Sequence, residues 1–371
     1  MADSIRFSLL TCAPGEQIYT LFGHTAIRYQ NFTTGTDMVY NYGVFSFSAP
    51  NFVWRFVKGE TDYQLADSTY DRFTREYAYY NRAVWEQELN LNKEEEMQLI
   101  TLLEINRLPE NRVYRYNFFY DNCSTRARDI IEESIKGNVV YPEKDFRKTF
   151  RDIVYECNVG YDWSRFGMDF CLGVDADKPI TYRQEMFAPF YLMEAFEQAN
   201  IKVESGIERP LINGTSQVVF PKADGQSGSY LMTPWRTFLL LFIFIVAITI
   251  WGIKKKKALW GIDLVLFAVA GIAGCVITML TFFSEHPAVS PNYLIFVFHP
   301  LHLICMPFFL YKEIKRRRSI YHLLNTIILT LFILLWAVIP QHFNLAVLPL
   351  ALCLLIRSVS NLLLTYKPKG K

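Results

Sequence analysis

The sequence has no Cys-x-x-Cys pair and no Cys/His cluster, so the usual zinc-binding spacings are missing. It has no internal repeat and no low-complexity tract. It lacks a dominant charge. Lys and Arg number 38 against 36 Asp and Glu, a net of +2, which argues against a dedicated nucleic-acid binder with its basic surface. Histidine is scarce as well: there are six, and His24 is the only one before residue 235. Any imidazole chemistry in that stretch therefore falls to one residue.

Apolar and aromatic residues are plentiful, at 51% and 16% of the chain. They are unevenly placed. Charged residues are spread through Met1–Arg236, and beyond that most fall into short clusters between long apolar runs. The runs are Trp235–Ile253, Leu259–Phe283, Tyr293–Leu310, Leu323–Ile339 and Leu345–Leu364. A helix needs roughly 20 apolar residues to cross about 30 Å of hydrocarbon, so five spans are expected. Basic clusters lie at Lys254–Lys257, at Lys312 and Lys315–Arg318, and at Lys367, Lys369 and Lys371. The loops Ser284–Asn292 and Pro340–Asn344 carry no Lys or Arg. The positive-inside rule then puts the C-terminus in the cytoplasm and the N-terminal half outside. We expect residues 1–230 to form an extracytoplasmic domain and 231–371 a helical membrane domain. Met1-Ala2-Asp3-Ser4 shows no export leader, so a mature form is expected.

In the N-terminal half, Ile5–Thr11 reads as a strand. Thr25–Gln30 and Met38–Tyr42 read as a hairpin around the Thr- and Gly-rich Asn31–Asp37. Asn92 is placed to cap a helix over Lys93–Arg107, with Glu94–Glu96 in its first turn. Val113–Phe119 looks extended. Asn122 is a second candidate cap, for a helix from Cys123 to Ile135 ended by Gly137. Lys144–Tyr155 and Tyr182–Ala199 look helical, Ile201–Phe220 offers a further strand, and Gly225–Tyr230 a linker.

Of seven cysteines, Cys275, Cys305 and Cys353 fall in apolar runs and read as packing residues. Cys12, Cys123, Cys157 and Cys171 fall outside, in an oxidising compartment. Cys157 and Cys171 are a possible disulfide that spacing does not decide. Cys123 stands out because unpaired N–H groups and the dipole at a helix N-terminus stabilise a thiolate and offer part of an oxyanion hole. His24, behind Gly23 at the start of a strand, is the available base. Cys12 is the rival thiol, but it precedes Ala13-Pro14-Gly15 rather than a helix. To orient His24, the hairpin would bring Asn41 beside Ala26, on the same face as His24, with Asp37 as the alternative. Asn122 and Ser124 are candidates for oxyanion support, or simply for capping the helix.

The blocks Leu10-Thr11-Cys12-Ala13-Pro14-Gly15, Phe22-Gly23-His24-Thr25-Ala26-Ile27-Arg28, Tyr40-Asn41-Tyr42-Gly43 and Asp121-Asn122-Cys123-Ser124-Thr125-Arg126 resemble those of circularly permuted NlpC/P60-like, papain-fold enzymes. More closely, the chain resembles, over both halves, the Lnb family of Bacteroidetes, the lipoprotein N-acyltransferases. The resemblance implies an α+β, permuted papain-like domain followed by a five-helix bundle. It implies Cys123 as nucleophile, His24 as base, and no metal or cofactor. It also implies the reaction. An acyl chain passes from a membrane phospholipid to the cysteine as a thioester, then to the N-terminal amine of a diacylglyceryl-cysteine lipoprotein.

Polar residues in the membrane half are weighed separately. Arg357 lies inside the fifth run, where charge is costly and usually functional. Glu285, His286, Asn292, His299 and His302 gather toward the outer face. The expectation is that Arg357 pairs with a lipid phosphate or with a carboxylate such as Glu285, and that Glu285 and His286 help hold substrate. Two other readings stay open: a membrane-bound cysteine peptidase or amidase using the same dyad, and a non-catalytic envelope assembly factor.

Overall fold

The computed structural model describes residues 4–143, 147–203, 206–222 and 231–365. The chain forms two compact units, one of residues 1–158 and 179–226, the other of 159–178 and 227–371. The boundary is therefore not a single point. Residues 159–178 leave the first unit and belong to the second.

The first unit is built on a seven-stranded sheet. Its strands are β1 (Ile5–Cys12), β2 (His24–Asn31), β3 (Thr36–Val44), β4 (Asp62–Thr69), β5 (Val84–Leu89), β6 (Val113–Arg115) and, after the small strands below, β10 (Ile212–Val219). The order is β10-β5-β1-β2-β3-β4-β6, and every pairing is antiparallel. Side chains alternate between the two faces. Leu9, Ile27 and Tyr40 join one core, while Leu10, Ala26 and Val39 join the other.

Helices α1 (Phe52–Lys58), α2 (Tyr70–Tyr79), α3 (Lys93–Arg107) and α4 (Cys123–Ser134) connect the strands. Phe73 and Tyr77 of α2 cover the second face. Residues of α3 and α4 cover the first, with Leu99, Leu103, Ala127 and Ile131 fully buried. Asn92 and Asn122 both cap as expected, in reciprocal capping boxes with Glu95 and Thr125. Helix α4 ends at Ser134, and Gly137 instead makes a positive-φ turn into the next strand.

The rest of this unit departs from the sequence reading in two places. The helix expected over Lys144–Tyr155 begins only at α5 (Phe150–Cys157), because Thr149 and Asp152 form the capping box there; residues 144–146 lie outside the described residues. The helix expected over Tyr182–Ala199 divides into α7 (Tyr182–Glu185) and α8 (Pro189–Gln198). Pro189 has no N–H to continue a helix but suits the first turn of a new one. Ile201–Phe220 contributes strands rather than one: β8 (Asn200–Lys202) and β9 (Glu208–Pro210) join β7 (Asn138–Val140) in a three-stranded sheet, before β10.

In the second unit, α6 (Asp162–Cys171) precedes a short 3-10 turn at Val174–Asp177. The apolar helices follow: α9 (Pro234–Lys254), α10 (Trp260–Phe283), α11 (Leu301–Ile304), α12 (Met306–Ile314), α13 (Ile320–Leu334) and α14 (Val347–Thr365). By length and composition α9, α10 and α14 can each cross a membrane. The third run is not one rod. A 3-10 turn at Tyr293–Phe296 leads into α11 and α12, and the run bends by 72°. Pro300 and Pro307 interrupt its hydrogen-bond ladder. The bend lies against α10, where a Cβ on Gly274 would come within 2.4 Å of the His299 amide nitrogen. The fourth run gives a 15-residue helix, α13, shorter than a full span.

Residues 159–178 form a strap on this unit. Phe166 and Phe170 pack on its core, and Trp163 donates to the Met232 carbonyl at 2.8 Å. Gly173 and Val174 donate to the carbonyls of Ala288 and Pro291. Gln341 donates to Leu172, and His342 to Asp177. The strap therefore docks on the two loops that carry no Lys or Arg. At the other end, Arg316 donates to the Lys256 carbonyl at 2.8 Å, which joins two basic loops.

Candidate active site

Cys123 is the first residue of α4, and the residues on either side of it fix the turn. Asp121 and Arg126 form a two-pronged ion pair at 2.5 and 2.8 Å. Asn122 accepts from the N–H groups of Ser124 and Thr125, at 2.8 and 3.0 Å. Thr125 returns the favour by accepting from the Asn122 N–H at 2.8 Å. The Ser124 hydroxyl meets that of Thr25 at 2.9 Å, fixing the helix to β2. The motif around Cys123 is thus mostly scaffolding.

His24 is the first residue of β2, so that bond to Thr25 also sets its position against the helix. His24 lies beside Cys123 and interacts electrostatically with its sulfur, and His24 Nε2 meets Asn41 Oδ1 at 3.2 Å. The pairing of Ile27 with Tyr40 puts Asn41, the next residue, beside Ala26. All three side chains are half-buried.

The electrostatics favour a thiolate–imidazolium pair. Burial works against ionising Cys123, but His24, with further hydrogen bonds from the Thr25 backbone and Ser124, brings its pKa below the usual thiol value. Burial likewise opposes the imidazolium. The sulfur and Asn41 overcome that, so the His24 pKa lies above its ordinary value. Cys12 behaves oppositely. It is fully buried, and burial pushes its thiol up to about 12.

Two groups beside the sulfur have unused hydrogen-bonding capacity. The Cys123 N–H, at the helix start, has no partner among the described residues. The Tyr114 hydroxyl is buried and also unpartnered. Burial first, and then the Cys123 charge, raise its pKa, so it stays protonated and available as a donor. Gly43 holds φ +87°, and a Cβ there would lie 3.6 Å from Cys123 Cβ, 4.0 Å from its nitrogen and 3.9 Å from the Tyr114 oxygen. The missing side chain leaves space between the two donors, where an oxyanion would need them. Sequence reading missed Tyr114; its only signal was Gly43 in the block Tyr40-Asn41-Tyr42-Gly43.

The other candidates fall elsewhere. Both amide hydrogens of Asn122 go to the carbonyls of Phe118 and Phe187, at 2.8 and 2.9 Å, so the side chain has none for an oxyanion. Ser124 is fully buried against Thr25 and acts as a latch. Asp37 pairs with Arg28 at 2.7 Å, toward the turn end of the hairpin, and does not orient His24. Cys157 and Cys171 are both free thiols. Among the described residues no group of three His, Cys, Asp or Glu is placed to hold a metal. A cleft of about 390 Å³ lined by Tyr42, Asp121 and Arg126 lies along the flank of α4, and neither Cys123 nor His24 lines it.

Residues 1–153 match the family model described as the Lnb N-terminal periplasmic domain, and residues 226–369 match the Lnb transmembrane domain. The chain belongs to the Lnb family. No curated protein and no solved structure matches it. As a member of the Lnb family it is an inner-membrane protein whose N-terminal domain is periplasmic.

Within the Lnb transmembrane domain, Arg357 does not reach Glu285. Its Nε and Nη2 bond Asp263 at 2.6 and 2.8 Å, and its Nη1 bonds Thr249 at 3.0 Å. Asp263 stands in the first turn of α10, whereas Glu285 follows its last residue, about 30 Å further along the helix. Arg357 and Asp263 are 1% and 0% exposed. Glu313 and Asn361 are buried beside this pair. Glu285 and His286 lie in the loop at the strap end, and His286 donates its N–H to Ser284 at 3.3 Å. His302 is buried between the Val297 carbonyl and Tyr321.

Proposed function

We propose that this chain is a lipoprotein N-acyltransferase working by covalent cysteine catalysis. The observation that carries the reading is the Cys123–His24–Asn41 arrangement beside two unused donors, in a periplasmic domain attached to membrane helices. His24 holds the proton of Cys123, and the thiolate attacks the ester carbonyl of a phospholipid. The Cys123 N–H and the Tyr114 hydroxyl stabilise the oxyanion. The C–O bond breaks, the lysophospholipid leaves with the His24 proton, and a thioester remains. The N-terminal amine of a diacylated lipoprotein then attacks the thioester. His24 accepts the amine proton, and the thiolate departs. No cofactor enters either step.

The order of histidine strand before cysteine helix supports a circularly permuted papain-like domain. The joined basic loops Lys254–Lys257 and Lys315–Arg318, with the strap at the uncharged loops, support five crossings and a cytoplasmic C-terminus. Incubating the protein with phospholipid and no acceptor should leave a hydroxylamine-sensitive acyl mass on the Cys123 peptide. An adduct on Cys12, or peptide-bond cleavage of a lipoprotein without acylation, would sink the reading.

A further inference from the structure

The segments that deliver His24 and Asn41 also deliver an exposed apolar ridge. Ile18 and Tyr19 lie just before β2 and are 57% and 52% exposed. Phe47, Val53 and Trp54 lie just after β3 and are 64%, 74% and 57% exposed. Because β2 starts and β3 ends at the same edge of the sheet, both groups sit at the Cys123 end of the domain. Tyr19 and Phe47 form one surface, and the helix that carries Val53 and Trp54 packs against it through Phe52. The Phe47 ring meets those of Tyr19, Phe45 and Phe52 at 5.7, 4.9 and 5.2 Å. The track continues inward. Phe45 stacks on Tyr63, and Tyr63 on Tyr116, at 4.7 and 4.0 Å. Phe45, Tyr116 and Cys123 all pack on the same core.

Exposed large apolar side chains gathered at one end of a soluble domain mark a place where something binds. Val44–Gly59 contains no Asp or Glu. Its two cations, Arg55 and Lys58, pair with Asp62 and Glu60 beyond it. A ridge of Trp, Phe and Tyr with no acid of its own suits the headgroup and upper acyl region of a phosphate-bearing bilayer. The same chain carries membrane-spanning helices, so a bilayer is the apolar phase this domain meets.

We propose that the ridge formed by Tyr19, Phe47, Val53 and Trp54 is the lipid-docking surface of the periplasmic domain. It takes the acyl chains of a bilayer phospholipid and leads the ester carbonyl along Phe45 toward Cys123. This rests on the acyl-transfer reading and adds the surface that makes a membrane lipid, rather than a dissolved ester, the donor.

The test uses the full chain in phospholipid nanodiscs and compares two donors. Acylation of Cys123 from the bilayer is followed by mass, and acylation from water-soluble p-nitrophenyl acetate by its burst. Phe47→Asp with Trp54→Asp should slow acylation from the bilayer roughly tenfold or more and leave the soluble-ester burst near the parent value. Tyr79→Ser with Tyr80→Ser, at the equally exposed end of α2, should change neither. Equal loss with both donors, or no loss with phospholipid, overturns the ridge proposal. Normal acylation of Cys123 with failure only in transfer to the lipoprotein assigns the ridge to the acceptor, and also overturns it. A parent protein that reacts with the soluble ester but takes no acyl group from phospholipid overturns the acyl-transfer reading and the ridge together.

Discussion

In the membrane unit, Arg357 gives three guanidinium nitrogens to Asp263 and Thr249, and both ends of the ion pair are sealed from solvent. In the periplasmic domain, Cys123 and His24 form a second pair that is only half-buried, with the Cys123 N–H and the Tyr114 hydroxyl beside them unused. Both pairs hold charge away from water, where it is expensive. Arg357 closes on Asp263 and Thr249 and joins α9, α10 and α14, although Glu313 and Asn361 beside it keep buried polar atoms without partners among the described residues. The other pair keeps two unpartnered donors beside Gly43. An expensive charge therefore says that something is retained, and whether it is sealed from solvent or open to it separates shape from chemistry.

The sharpest break in this comparison is at the open pair. Cys123→Ala or His24→Ala should lower acyl transfer by about 10³-fold or more with little change in thermal stability. A His24→Ala protein turning over near the parental rate would remove the dyad. The closed pair should respond in stability instead. Arg357→Leu strands a buried carboxylate and should cost about 3–5 kcal/mol. Arg357→Leu with Asp263→Leu should recover most of it. If Arg357→Leu unfolds at the parental temperature and yet loses activity, the bundle pair is a site after all.

Tyr114→Phe sharpens the contrast from the other side. It removes one oxygen that bonds nothing in the resting protein, so stability should hold. Turnover should fall about 10²-fold, the usual effect of one lost oxyanion donor, with KM little changed. A fall in stability with turnover intact would make Tyr114 a packing residue.

The smallest effect concerns pH. The Cys123 pKa is lowered and that of His24 raised, so both shifts favour the thiolate–imidazolium form. Alkylation of Cys123 by iodoacetamide should proceed below the ordinary thiol range and fade as pH drops through the lowered Cys123 value. Acyl transfer should also fade on the alkaline side, as His24 loses the proton it must give the leaving group. His24→Gln removes the neighbouring charge and should move the alkylation limb to higher pH. An unmoved limb would mean that the helix start alone ionises the thiol.

Local signals carried much of this structure. Asn92 and Asn122 announced two helix starts three residues ahead of Glu95 and Thr125, and the Thr- and Gly-rich stretch announced the hairpin that brings Asn41 to His24. Ala188-Pro189 announced a helix break as plainly, and the longer apolar pattern hid it. What could not be read was the meeting of distant segments. Asp263 and Arg357 lie 94 residues apart, and helix packing alone joins them. Tyr114 reaches Cys123 because the three-residue β6 pairs with β4 in one register, and three residues carry too little pattern to specify it.

The strap at residues 159–178 sets an order of assembly. A ribosome makes the chain from its N-terminus, so Trp163, Phe166 and Phe170 are exported before any helix that covers them has entered the bilayer. Their partners arrive piecemeal: Met232 first, then Ala288, Pro291 and Asn292, and Gln341 only once four of the five apolar runs have been translated. Until then the strap is a bare amphipathic segment in the periplasm. A chain that stalls inside the bundle leaves it uncovered.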